Sequence, residues 1–188
     1  MIKLAPSIAL AAFAALSYAG PATGTVTFGN GKPAAGAVIF LQGEAKSAPL
    51  KGAMVDQRDH KFIPHVSVVT VGTEVNFPNN DTVFHNVFTE YHASKFDLGM
   101  YPRGKSKKQT FDRAGVAVLM CSVHPEMSAY VVVVDTPYYA VADGKGRFTI
   151  PNVPAGKYRA QVWHESGEKA TEDVTVSEGG TITLKTHR

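Results

Sequence analysis

Beyond Gly24 the chain is written in short apolar and β-branched runs separated by glycine and proline turns. The runs include "TVTF", "AVIFL", "VSVVTV", "TEVNF", "VAVLM", "AYVVVV", "GRFTI", "KYRAQVW", "EDVTV" and "TITL". Their alternation and spacing predict strands, and no helical period competes with them, so the pattern reads as an all-β sandwich. The stretch "YHASKFDLGMYPRGKS" (91–106) follows neither period and reads as a long loop. The opening "MIKLAPSIALAAFAALSYAG" differs in kind: one lysine, an apolar run and small residues before Gly20. That is the pattern of a secretory signal peptide over residues 1–19, cleaved near Ala19/Gly20. A soluble periplasmic protein is the expectation.

Composition changes this picture in two places. One cysteine among 188 residues cannot form an internal disulfide, so stability must come from the core, or from the core and a metal. The formal net charge of +3 is too small to suggest nucleic acid as a partner. A local basic run does stand out, with Lys95, Arg103, Lys105, Lys107, Lys108 and Arg113 set against Asp97 and Asp112. It reads either as a solvated face or as a docking patch for an acidic redox partner, where charge mainly raises the encounter rate.

The runs divide into two groups. "GTVTFGNGKPAAGAVIFLQG" (24–43) is a strand, a turn and a strand, and "YYAVADGKGRFTIPNVPAGKYRAQVWHE" (138–165) continues with three more. Together they resemble the carboxypeptidase regulatory-like, transthyretin-like sandwich. In that family a "G-x-P-x-x-G-A-x-V" hairpin is soon followed by "D-x-x-G-x-F-x-I" and "V-P-x-G-x-Y". Here the two halves are far apart, which implies an inserted domain, since loops tolerate insertion. The expected organisation is residues 20–50 plus 136–188 as one β-sandwich, with residues 51–135 inserted as a second. The other arrangement is two consecutive domains with a short N-terminal extension.

The candidate chemistry lies in the insertion. "CSVHPEM" (121–127) places a histidine and a methionine at three-residue steps after the lone cysteine. A cysteine after "VAVLM" is ordinarily a buried small hydrophobe. A nucleophile would want a loop signature and acid–base partners that are not in evidence. The third reading is a metal site. Residues 53–134 carry "F-x-P-x-x-x-x-V", "V-G-T-x-V-x-F-x-N", "N-D-x-x-x-H-N-V" and "C-x-x-H-x-x-M" in that order. This resembles the cupredoxins, the small blue-copper proteins of Greek-key fold. The short loop is most like that of the amicyanins, and the longer chain is similar to accessory cupredoxins of methylamine-utilisation clusters. The resemblance implies one type 1 copper site with His85, Cys121, His124 and Met127 as ligands. Copper chemistry agrees: Cu(I) favours soft sulfur, Cu(II) accepts imidazole, and a trigonal His2Cys set with a weak thioether serves both. Met127 as simple core packing is the other reading of that residue, and zinc would take the same donors.

Around these ligands, Asn86 is expected to brace the loop and tune the metal. Val123 stands where amicyanin-like loops often carry proline, Pro125 stiffens the loop, and Glu126 places an acid where such proteins usually present an apolar patch. His60, His65 and His92 read as solvated side chains, with a second metal site as the minor reading. His164, beside Trp163, reads as packing in the sandwich. The expected function is an exported carrier of single electrons, not an enzyme. Its partner would be a cytochrome or dehydrogenase, with no membrane contact, and the carrier itself is read as a monomer. The alternatives are a periplasmic copper carrier or metallation accessory protein, and a structural subunit stapled by its metal.

Overall fold

The computed structural model describes residues 19–90 and 94–188, and they form sixteen β-strands with no α-helix among them. The apolar leader, apart from Ala19, and His92 lie outside the described residues. The chain begins with β1 (Ala19–Thr27) and β2 (Val38–Gln42). A middle stretch follows with β3 (Asp56–Arg58), β4 (Lys61–Ile63), β5 (Val66–Thr70), β6 (Thr73–Pro78), β7 (Phe88–Thr89) and β8 (Phe96–Asp97). It continues with β9 (Ser106–Phe111), β10 (Gly115–Met120) and β11 (Ser128–Val134). The last stretch holds β12 (Tyr139–Val141), β13 (Arg147–Pro154), β14 (Gly156–Trp163), β15 (Lys169–Val176) and β16 (Thr181–Lys185). The fold is all-β, as the alternating runs predict.

Strands from the two ends of the chain pair with one another. One sheet has the order β13-β1-β16 and a second has β12-β2-β14-β15. Between them lies a core that includes Val26, Ile39, Leu41, Phe148, Ile150 and Leu184. The middle of the chain pairs within itself, in a five-stranded sheet of order β5-β11-β10-β7-β8 and the ladders β6-β9 and β3-β4. Its core holds Val75, Phe77, Phe111, Leu119, Val131 and Val133, together with Cys121 and Met127. The chain leaves the first group after Gln42 and returns beside it, where the Thr136 hydroxyl donates to the Leu41 carbonyl at 2.7 Å.

Strands β11 and β2 explain why "AYVVVV" and "AVIFL" are apolar without interruption. Successive side chains of a strand point to opposite faces. In β11, Val131 and Val133 enter the middle core, whereas Val132 and Val134 turn to a third cluster with Val38 of β2. In β2, Ile39 and Leu41 face the other way, into the core of the terminal strands. Phe40, Val66, Val68, Val116, Tyr139 and Trp163 complete the seam. Both faces of these strands are dry, so both need apolar side chains. The seam is reinforced by Tyr130 against Trp163, ring centroids 5.2 Å apart, and by His65 Nε2 and Glu165 at 2.6 Å.

Candidate metal centre

The β10–β11 hairpin carries the loop "CSVHPEM". Its last ladder pair is Met120 with Ser128, so Cys121 leaves β10 directly and Met127 enters β11 directly. The Met127 amide donates to the His124 carbonyl at 2.9 Å, which folds the loop back on itself. On the other side of β10, Phe88 pairs with Met120, and this register brings the segment that begins at His85 alongside the loop. His85 is held in the extended state by an antiparallel bridge to Tyr101, whose amide donates to the His85 carbonyl at 2.9 Å. Asn86 then joins the two segments. Its Oδ1 accepts from the Ser122 amide at 2.8 Å and from the Ser122 hydroxyl at 3.0 Å, and its Nδ2 donates to Asp97 at 3.1 Å. The brace expected at this residue is present.

Three donor atoms converge here. Cys121 Sγ lies 3.8 Å from His85 Nδ1 and 3.7 Å from His124 Nδ1, and the two nitrogens are 2.9 Å apart. For bonds of about 2.05 Å to imidazole and 2.3 Å to thiolate, a trigonal arrangement gives nitrogen–sulfur separations of about 3.8 Å. Both observed values meet this. The same arrangement would part the nitrogens by about 3.6 Å, so the His85–His124 pair is the tight edge. His124, the half-buried ring, has the freedom to open it. His85 is fully buried, Cys121 is 3 % exposed and Met127 is 1 % exposed, packed in the same core as the cysteine. The donor set fits a soft first-row ion.

The group that orients His85 carries no role in the sequence reading: it is Asp81. Its Oδ2 lies 2.9 Å from His85 Nε2, with both side chains inside the protein. An ionised carboxylate can only accept, so Nε2 carries the proton and Nδ1 presents its lone pair to the centre. Burial works against the charge on Asp81. The His60 amide, the His85 ring and the Thr82 amide outweigh it and hold the carboxyl well below the usual range. Asp81 is itself placed by Asn79, whose Oδ1 accepts the Asp81 amide at 3.0 Å while its Nδ2 donates to the Val83 and Tyr101 carbonyls. A carboxylate four residues before a histidine in a turn-rich segment is the signal that marks it.

Tyr101 closes the inner side. Its hydroxyl accepts from Gln57 Nε2 at 2.6 Å and donates to the Phe77 carbonyl at 3.0 Å. Burial pushes that hydroxyl up to about 12; the Gln57 bond opposes the rise and the charge on Cys121 adds to it. Phe84 and Met100, next in sequence to His85 and Tyr101, are exposed, as are Val123 and Glu126 of the loop.

The remaining histidines separate. His65 is exposed and pairs with Glu165, and His164 Nε2 lies 3.0 Å from the Ala35 carbonyl with its ring edge-on to Phe28. His60, read from sequence as solvated, is exposed at the tip of the β3–β4 hairpin, yet its ring stands 4.6 Å from that of His124. The basic run is also dissected. Lys107 lies over the Tyr101 ring and donates to the Leu98 carbonyl, and Lys108 pairs with Glu74 at 2.7 Å. Arg103 and Lys105 remain exposed, on a turn whose Lys105 carbonyl accepts the Asn79 amide at 2.8 Å.

Comparison with known proteins adds little to this geometry. Residues 112–184 match the model of the family described as polysaccharide lyase family 4, domain II, a span that crosses the β11–β12 connection and covers less than half of the chain. No curated protein matches the sequence. Among solved structures the chain is similar to a purple cupredoxin from Nitrosopumilus maritimus, at 24% identity and a TM-score of 0.40, over 44% of this chain and 99% of that one. It is similar to a copper-containing nitrite reductase from Thermus scotoductus SA-01, at 24% identity and a TM-score of 0.44, over 51% of this chain and 25% of the reductase. A reduced amicyanin variant aligns at 27% identity and a TM-score of 0.41, over 51% of this chain and 98% of that chain. At these scores the likenesses decide nothing about the site, whose chemistry follows from its own donors.

Proposed function

We propose that this protein binds one copper ion through His85, Cys121 and His124, with Met127 as a weak axial donor, and carries single electrons. The observation that supports this most is the convergence of one cysteine sulfur and two imidazole nitrogens at separations of 3.8, 3.7 and 2.9 Å, with His85 and Cys121 buried. Copper bound there would supply a one-electron Cu(I)/Cu(II) couple. The protein residues do the rest. Asp81 fixes the tautomer and orientation of His85, Asn86 holds the cysteine loop against the His85 segment, and the hairpin strands keep Cys121 and Met127 at the ends of one short loop. A donor set that suits both Cu(I) and Cu(II) favours electron transfer over catalysis.

In this reading residues 51–135 are the copper-binding domain, inserted into a second sandwich made of residues 20–50 and 136–188. The leader pattern of residues 1–19 supports export to the periplasm. The partner is an acidic redox protein, met by the exposed Arg103 and Lys105 near the metal end. The test of the function is cycling. Copper-loaded protein should take up and give back one electron per chain repeatedly while keeping its metal. Loss of the ion to an apo acceptor at each reduction would replace electron transfer with copper delivery.

A further inference from the structure

The β3–β4 hairpin turns on Asp59 and His60, with φ of 51° and 56°. Two consecutive left-handed residues make the tight turn that suits a hairpin. Such a backbone is unfavourable for non-glycine residues and persists where the surroundings fix it. Here they do. The His60 amide donates to Asp81 Oδ2 at 2.8 Å, the same oxygen that meets His85 Nε2 at 2.9 Å. Three more bonds hold the hairpin, two to the His85 loop and one to Tyr101 opposite His85. The Asn80 amide donates to the Gln57 carbonyl at 3.0 Å, Asn80 Nδ2 donates to Asp56 at 2.8 Å, and Gln57 Nε2 reaches Tyr101.

One carboxylate oxygen therefore positions two imidazole-bearing segments. The result is a third imidazole at the outer edge of the centre. The His60 ring stands edge-on to His124 at 4.6 Å between centroids and to His85 at 5.8 Å. Its backbone is pinned by the Asp81 carboxylate, and its ring nitrogens hold no hydrogen bond to another described residue.

We propose that His60 is an exchangeable metal donor, a spare imidazole that takes the place of His124 when that ring leaves the ion and so carries copper into and out of the site. The inference rests on the copper reading above. The exchange substitutes one neutral nitrogen lone pair for another, so no electron moves and no proton is gained or lost. It requires an imidazole within a ring's length of His124 on a support that stays attached when the 121–127 loop moves. The hairpin meets both conditions, because its anchors are Asp81, Asn80 and Tyr101 and none of them belongs to that loop.

The experiment compares His124→Ala with the double variant His60→Asn/His124→Ala in the full chain, both titrated with Cu(II). Asparagine keeps the left-handed turn that His60 occupies and removes the imidazole. His124→Ala should retain a thiolate-to-copper absorption band and nitrogen hyperfine structure in its electron paramagnetic resonance spectrum. The double variant should show a shifted band and one fewer coupled nitrogen, and bind copper about tenfold or more weakly, with added imidazole restoring the spectrum and the affinity. Identical spectra and affinities for the two variants would overturn the inference. His60→Asn alone should release Cu(I) to a chelator about tenfold more slowly, and an unchanged rate would overturn it too. Absence of the band in the unaltered protein would instead overturn the copper reading itself, and this inference with it.

Discussion

Asp81→Asn is the sharpest perturbation of the centre that leaves every proposed ligand in place. The carboxylate accepts two N–H groups on Oδ2, from His60 at 2.8 Å and His85 at 2.9 Å, and the Thr82 amide on Oδ1 at 2.7 Å. Asparagine has the same shape but one acceptor oxygen. Aimed at His60 and His85, that oxygen leaves the Thr82 amide facing an NH2 group; aimed at Thr82, it leaves two donors unmatched. A buried donor without a partner costs about 1–3 kcal/mol, and the surviving bonds lose the strengthening that an ionised acceptor gives. With Asp81 at 5 % exposure, little solvent relief is available. The expected loss is about 2–4 kcal/mol of folding stability in metal-free protein, read by urea unfolding. A neutral amide, which can turn either its oxygen or its NH2 to Nε2, no longer enforces one tautomer of His85, so copper affinity should fall about 10–100-fold in competition with a chromophoric chelator. Stability within about 0.5 kcal/mol of the parent, with unchanged affinity, would refute the role assigned to Asp81.

Two further outcomes are expected. Asp143, in the turn before β13, is held at about 2 rather than 3.8 by the Arg147 amide and guanidinium and the Lys145 amide. A depressed carboxylate contributes stability that is present above its unfolded value and lost as pH falls toward the folded one, so its carboxyl resonance should titrate near 2; a midpoint near 3.8 would remove that contribution. Arg103→Glu/Lys105→Glu should slow electron exchange with an acidic partner at low salt and flatten its salt dependence. Lys108→Glu, whose parent charge is already spent on Glu74, should matter less; equal effects from both would mean that the turn has no special part in encounter.

The strands were legible because burial on one face enforces alternation, and β6 with its "TEVNF" shows it: Thr73, Val75 and Phe77 are buried while Glu74 is exposed. What "AYVVVV" could not reveal is that its odd and even valines serve different cores, because that depends on which sheets pack against β11. The resemblance to the cupredoxins singled out His85, Cys121 and His124, and the fold brings their donor atoms within 4.8 Å of one another. Asp81 sat unassigned inside a quoted motif, since its partners His60 and His85 come from separate loops. His60 reads as solvated, with a second metal site as the minor reading, and its place beside His124 escapes the sequence for a related reason. Its nearness to His124 arises from a hairpin docked on the Asn79–Asp81 turn, and nothing local in "RDHK" encodes that contact. Nor does a count of charges along the basic run record that Lys107 folds over Tyr101.

The most direct measurement is the visible spectrum of the full chain on adding one equivalent of Cu(II), beside Cys121→Ser. A thiolate in the plane of two imidazoles should give strong sulfur-to-copper charge transfer, saturating at one ion per chain and absent from the serine variant, whose far-ultraviolet dichroism should remain that of a β-protein. A colourless copper complex of the unaltered protein, or a band that survives the loss of Cys121, would contradict the assignment of this centre.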